Sequence, residues 1–441
     1  MSKCVFQLKL GYKTTGLSMQ RNIFIVILIF LIFFVISFLT NILGPIIPDI
    51  VKSFDLSIGL AGFLPFAFFV AYGVMSIPAG LMVEKFGEKA MLIGAFFLAF
   101  GGALLFALIP SFTIALSSLF LIGIGMAILQ VVINPLLRVS GGEEKFAFYS
   151  VLAQLFFGAA SFLSPLLYSY LVLNVHSRNG YSESSGFLID ILNGLVPENL
   201  KWVSLYWVFA AIALLMVVVI ALVRFPKVEL LEDERIDVGK SFAELAANKL
   251  VWAFFLGIFA YVGTEQGIAN WISQFLQTYH EVDPATTGAS VISYFWGLLT
   301  IGCFLGLILL KIFDSRKVLI FFTCGGIVSL LIALFGSKDM ALIGFPMAGF
   351  FASVMYSVIF SLALNSVPKH HGTFSGILCA GIAGGAVVPL IVGGLGELVG
   401  LRFAMLFLLI PLGYILSIGL WAKPLVNNET VSSVRELFKM G

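Results

Sequence analysis

An all-α membrane protein of twelve transmembrane helices in two six-helix halves is what three features of this sequence predict. Of 441 residues, 60% are apolar and only 11% charged, where ordinary soluble domains carry about 25% charge. The apolar residues gather into runs long enough to cross a bilayer core, about 20 residues each. Lys and Arg fall mostly on one side of those runs. A soluble fold of this size needs a polar shell, so the composition excludes a soluble enzyme, a disordered chain and a nucleic-acid binder. The net charge of +2 suggests no acidic partner.

Taken in order, the runs occupy 23–47, 59–82, 89–109, 112–137, 147–173, 202–224, 249–275, 287–310, 317–336, 341–366, 373–395 and 402–422. Spanning backbone must satisfy its own hydrogen bonds, and helices of this length do so. With the N-terminus on side one, only Lys52, Arg178, Lys201, Lys338 and Arg402 of the 25 Lys and Arg fall on side two. The bias makes side one cytoplasmic, with both termini inside a plasma membrane of bacterial inner-membrane type. Residues 1–22 form a polar tail, and the run after them is too long for a signal-peptide core. The two halves are 23–224 and 249–422, the charge-rich stretch 225–248 is a cytoplasmic linker, and 423–441 is a second tail. In the long loop 174–201, GFLIDILNGL reads as a short interfacial helix.

An internal echo supports the duplication. Gly80 to Lys89 reads GLMVEKFGEK and Leu309 to Lys317 reads LLKIFDSRK. Both set an acid and bases at a junction on side one, and duplicated halves are a common transporter build. Glu84, Lys85 and Lys89, with Asp314 and Arg316, are therefore expected to hold the cytoplasmic ends together as a gate. Surface ion pairs are weak individually, but a gate needs only a small bias between states.

Few residues can do chemistry. Cys4, Cys303, Cys324 and Cys379 form no CxxC pair, and His176, His280, His370 and His371 fall in loops. No metal and no cofactor is expected. Of the 23 Asp and Glu, Glu265 is the one inside an apolar run. An ionised carboxylate at the bilayer centre costs about 2.5–3.5 kcal/mol on insertion scales, and such residues usually face a cavity. Glu265 is the candidate coupling acid. The glycines of Gly263-Thr264-Glu265-Gln266-Gly267 weaken the helix there, so a mid-membrane break is expected at this point, as at many porter sites. Gln266, Asn270, Gln274 and Gln277 share one helix face. Amides both give and take hydrogen bonds, as sugar hydroxyls do. Asn41 beside a Gly44-Pro45 kink, Gln130 and Asn134 on one face, and Gln154 could oppose them from the first half. Trp271 and Trp296 could cover the apolar face of a pyranose, whereas Trp202, Trp207, Trp252 and Trp421 fit an interfacial aromatic belt. Ser353, Ser357, Ser361 and Asn365 recur every fourth residue. Small hydroxyls more often pack helices, so only Asn365 of this stripe is taken as a binding candidate.

Gly80 to Lys89 resembles the loop signature of the major facilitator superfamily. Ala127-Ile-Leu-Gln-Val-Val-Ile-Asn134-Pro135 with Leu152-Ala153-Gln154 resembles helices four and five of its fucose:proton symporter branch. Tyr261-Val-Gly-Thr-Glu265-Gln-Gly-Ile-Ala-Asn270-Trp271 is similar to helix seven of glucose- and galactose-type members. Ile359 to Leu364 and Gly381 to Pro389 look like helices ten and eleven. The likeness runs from about residue 30 to 420 and implies the major facilitator fold and a sugar substrate. Two acids of the fucose-type proton site are matched here by Gly44 and Gln130, and a helix-eight Arg by Cys303.

These readings converge on a monomeric porter importing a glucose- or galactose-like hexose by proton-coupled alternating access in the lipid bilayer. Sodium coupling is the near alternative; uniport, or efflux of another small solute, is the further one. An intramembrane enzyme would need a nucleophile with a base, paired acids or metal ligands, and a channel would need a charged ring or filter. The spans offer neither set.

Overall fold

The computed structural model describes residues 23–141, 146–177, 186–224, 238–367 and 371–425. Among them, twelve helices are long and apolar enough to cross a membrane: Ile23–Phe54, Ile58–Ser76, Glu88–Leu108, Phe112–Ile133, Leu152–Asn174, Glu198–Leu222, Lys249–Ala269, Pro284–Ile312, Ser315–Phe335, Lys338–Leu364, Gly376–Val399 and Leu401–Trp421. They are numbered here as the first to twelfth spans. The face on which the first span begins is called the near face, and the other the far face. The tails and most of the linker lie outside the described residues, although Val238–Ala246 forms a short helix leading into the seventh span.

Polar side chains start several helices where the apolar runs begin. Ser57, Asn248, Asp283, Asp314 and Ser337 each accept a backbone N–H from the first turn that follows, satisfying donors a helix start leaves unpaired. The segment expected to lie at the interface is helical over Phe187–Leu195, with Phe187, Leu188 and Ile191 exposed. Trp202 departs from the aromatic-belt expectation. It is 3% exposed, packs edge-on against Phe54 and donates to Ser53 Oγ at 2.9 Å.

Three helices are interrupted along their length. The first breaks at Asn41–Ile42 and resumes at Leu43. Pro45 has no N–H to return to the Asn41 carbonyl, which is the cause of the expected kink. The tenth breaks at Ser353–Val354. The seventh is helical through the glycines at 263 and 267 and breaks at Asn270–Trp271, so the expected position is corrected. Those glycines serve packing instead. A Cβ at Gly263 would stand 2.4 Å from Val388 Cγ2, and one at Gly267 2.7 Å from Leu408 Cδ2. Absent side chains let the seventh span lie close to the eleventh and twelfth.

The halves meet where the fifth span packs on the eighth, the second on the eleventh, and the end of the first on the seventh. A Cβ at Gly44 would lie 2.3 Å from the Ala269 carbonyl oxygen, joining the first and seventh spans. A Cβ at Gly158 would lie 2.1 Å from Thr300 Oγ1, joining the fifth and eighth. Down the antiparallel second and eleventh spans, Ser57 donates to Glu397 Oε2 at 2.9 Å, Gly62 abuts Leu390, and Gly73 lies 3.3 Å from Ala383 by its built Cβ. One further step toward the near face, at Gly80 and Gly376, a Cβ would meet nothing within 4 Å. The close approaches of this seam lie toward the far face.

Candidate functional site

Between Ala260 and Leu276 every residue is buried except Glu265, which is partly exposed. Its carboxyl is held by two donors. The Tyr261 hydroxyl, one helical turn back, donates to Oε2, and the Gln266 amide donates to Oε1 at 3.1 Å. Asn270, at the break, donates to Gln266 Oε1 at 3.4 Å. Three of the residues expected to act together thus form one chain, Asn270 to Gln266 to Glu265. Both direct contacts hand hydrogen to the carboxyl, which suits its ionised, acceptor-only form. Thr264 donates to the Ala260 carbonyl of its own helix.

The other expected residues divide. Asn41 is 5% exposed and donates to Ser161 Oγ at 2.9 Å and Ser37 Oγ at 3.3 Å, tying the first span to the fifth. Trp271 is fully buried, and its indole donates to the Pro389 carbonyl at 3.1 Å. Trp296 is 3% exposed, and its Nε1 has no hydrogen-bond partner among the described residues. The same holds for Oε1 of buried Gln274. Gln130 is half-buried and Gln154 exposed. The helix carries Asn134, but its side chain lies outside the described residues.

On the tenth span, Ser357 and Ser361 are exposed, and with Tyr356, Phe360, Leu364 and Asn365 they line an open groove of about 380 Å³ along one face of the helix. Only Ser353 packs, buried against Gly302. Two residues that sequence reasoning left out belong to this region. Tyr261 carried a usable signal, a phenol four residues before the carboxyl. Tyr356 carried none, because its place beside Tyr261, with ring centroids 5.8 Å apart, comes from tertiary packing.

The expected gate is arranged differently in this state. Lys89 donates to the Ala221 carbonyl at 2.6 Å, at the end of the sixth span. Arg316 pairs with Asp314 at 3.0 Å and reaches the Ala422 carbonyl at 3.5 Å, at the end of the twelfth. Lys89 and Arg316 are each the second residue of their helix, so the same brace occurs once within each half. The Arg316 guanidinium holds the Asp314 carboxyl below its ordinary value, and the pair loosens only as pH falls through that lowered range. The side chains of Glu84 and Lys85 lie outside the described residues.

Comparison with known proteins agrees with this architecture. Residues 29–378 match the Major Facilitator Superfamily. The chain is 29% identical over 385 residues to the glucose/galactose transporter of Brucella abortus biovar 1 (strain 9-941), covering 85% of this chain and 88% of that protein. It is 27% identical over 376 residues to the L-fucose-proton symporter of Escherichia coli (strain K12), covering 80% and 83%. A crystal structure of the E. coli fucose:proton symporter superposes with TM-score 0.64 at 25% identity, covering 91% of this chain and 99% of that one. Twelve spans in two braced halves, a central seam and the family match make this chain a member of the Major Facilitator Superfamily, a family of membrane transporters rather than enzymes.

Proposed function

We propose that the protein imports a hexose, glucose- or galactose-like, by proton-coupled alternating access, with both termini in the cytoplasm and the cleft opening to that side. The observation that carries this reading is Glu265, the one partly exposed residue in an otherwise buried stretch, linked to two amides and, through Tyr261, to Tyr356 at the groove of the tenth span. The glucose/galactose and fucose relatives favour a sugar. The donors at Glu265 favour the proton over sodium. A sodium ion is bound by several oxygens, whereas one of the two groups here is an amide N–H, which cannot ligate a cation. The Lys and Arg asymmetry supports the orientation.

Uptake of a panel of hexoses by whole cells, with and without a protonophore, tests the proposal. Glucose or galactose accumulates in the untreated cells and falls to the external concentration when the proton gradient is collapsed. Accumulation that survives the protonophore but follows a sodium jump at clamped pH replaces the proton with sodium.

Trp296 gives a separate check on the sugar. A buried indole N–H without a partner is costly, and a hydroxyl of bound sugar would satisfy it. Trp296→Phe is expected to raise KM about 3–10-fold, the equivalent of one net hydrogen bond of about 0.5–1.5 kcal/mol, with Vmax within twofold. An unchanged KM removes Trp296 from the binding site.

A further inference from the structure

Groups able to pass a proton gather around Tyr261, the phenol that donates to Glu265. On its own helix Tyr261 donates to the carboxyl. The Tyr261 ring stands 5.8 Å from that of Tyr356, tilted by 55°. Tyr356, on the tenth span, has the Cys379 thiol of the eleventh within hydrogen-bond reach. Cys303 of the eighth also lies near, with its thiol donated to the Ser353 carbonyl at 3.3 Å. Past Tyr356 the wall toward the near face is Ser357, Ser361 and Asn365.

Depth orders these groups. At about 1.5 Å per helical residue, Glu265 lies roughly 24 Å in from Lys249, the near-face end of its span. On the same scale Tyr261 lies roughly 18 Å in, Tyr356 roughly 12 Å in from Leu364, and Asn365 at the mouth. The carboxyl is deepest, the phenols come next, and the groove carrying Ser357, Ser361 and Asn365 leads outward. The two donors at Glu265 suit a carboxyl that has already given up its proton.

We propose that Tyr356 is the residue through which the proton released by Glu265 reaches the near face, by way of Tyr261 and the Ser357–Ser361–Asn365 wall. This rests on the proton-coupled reading above. In the transfer, the O–H bond of the carboxylic acid breaks as one forms at the Tyr261 oxygen. Tyr261 and then Tyr356 pass on their own protons, and water in the cleft takes the last. Each phenol begins and ends neutral. The net change is one carboxylic acid becoming a carboxylate and one proton appearing in the cleft. Tyr356 touches the path rather than the carboxyl, so it acts as a relay.

The test uses the full chain in proteoliposomes loaded with a pH-sensitive dye. Sugar-driven proton flux and counterflow of labelled sugar are measured on the same preparation. Tyr356→Phe is expected to slow proton flux at least tenfold more than it slows counterflow, which needs no net proton movement, so that fewer protons move per sugar. Tyr356→His, which restores a group able to relay protons, is expected to recover most of the flux. Wild-type proton flux in Tyr356→Phe overturns the proposal. Equal loss of flux and counterflow in both variants also overturns it, and makes Tyr356 a sugar contact or packing residue. If the unaltered protein shows no sugar-driven proton flux, the proton-coupled reading itself falls and the relay with it.

Discussion

Glu265→Gln is expected to abolish uphill accumulation of sugar and to leave sugar exchange within about threefold. Glutamine matches the size of the carboxylic acid, and its amide nitrogen, in the place of Oε2, can donate to the Tyr261 oxygen. It cannot bind or release a proton. The Asn270–Gln266 chain stays in place because Gln266 can still donate to the amide oxygen, so the sugar-binding groups are undisturbed. In proteoliposomes with an imposed pH gradient, the variant should equilibrate sugar and not concentrate it. Concentration of sugar by the variant would falsify Glu265 as the coupling acid. Loss of exchange and accumulation together would mean that the carboxyl holds the helix or the sugar rather than the proton.

Gly44→Ala should be as damaging by a different route. The added methyl meets the Ala269 backbone oxygen at 2.3 Å and Ile292 Cδ1 at 3.2 Å. The backbone oxygen cannot swing aside as a flexible side chain can, and overpacking of this kind costs about 1–3 kcal/mol. Because the contact exists only where the far-face ends of the first and seventh spans meet, the cost falls on the state described here. The population of that state should drop roughly tenfold or more, since about 1.4 kcal/mol is a factor of ten. Counterflow slows accordingly. An impermeant thiol reagent should label a Ser57→Cys reporter at least tenfold faster in the Gly44→Ala background than without it. Equal labelling in the two backgrounds would show that the seam absorbs the methyl. The fucose-type acid matched by Gly44 meets the same obstacle: any side chain at this position would stand in the Ala269 oxygen.

Much of this architecture was legible because lipid imposes a coarse code. Runs of about 20 apolar residues must become helices, and the twelve spans follow from that alone. Glu265 was legible for the same reason, as the carboxyl inside an apolar run, and Gln266 and Asn270 followed from helical spacing. The break in the seventh span was not. Glycines at 263 and 267 read locally as weak points, yet they sit where Val388 and Leu408 press in, and packing overrides propensity. The serine stripe divides: Ser353 is buried against Gly302, while Ser357 and Ser361, beyond the helix break, line an open groove. Spacing cannot say where neighbouring helices part. Asp49 shows the same limit. It lay just past the first apolar run, but the helix carries it inside the span, where the Tyr168 hydroxyl donates to it at 2.6 Å.

The paired braces have a mechanical consequence. Lys89 fastens the start of one helix to the end of another within the first half, and Arg316 repeats the arrangement in the second. Each bundle is stiffened against internal shear, so strain during turnover falls on the glycine contacts between bundles and the bond from Ser57 to Glu397. Speed and affinity then reside in separate parts of the molecule: substitutions along the joint retune the cycling rate, while those on the amides and hydroxyls deeper in retune solute selection.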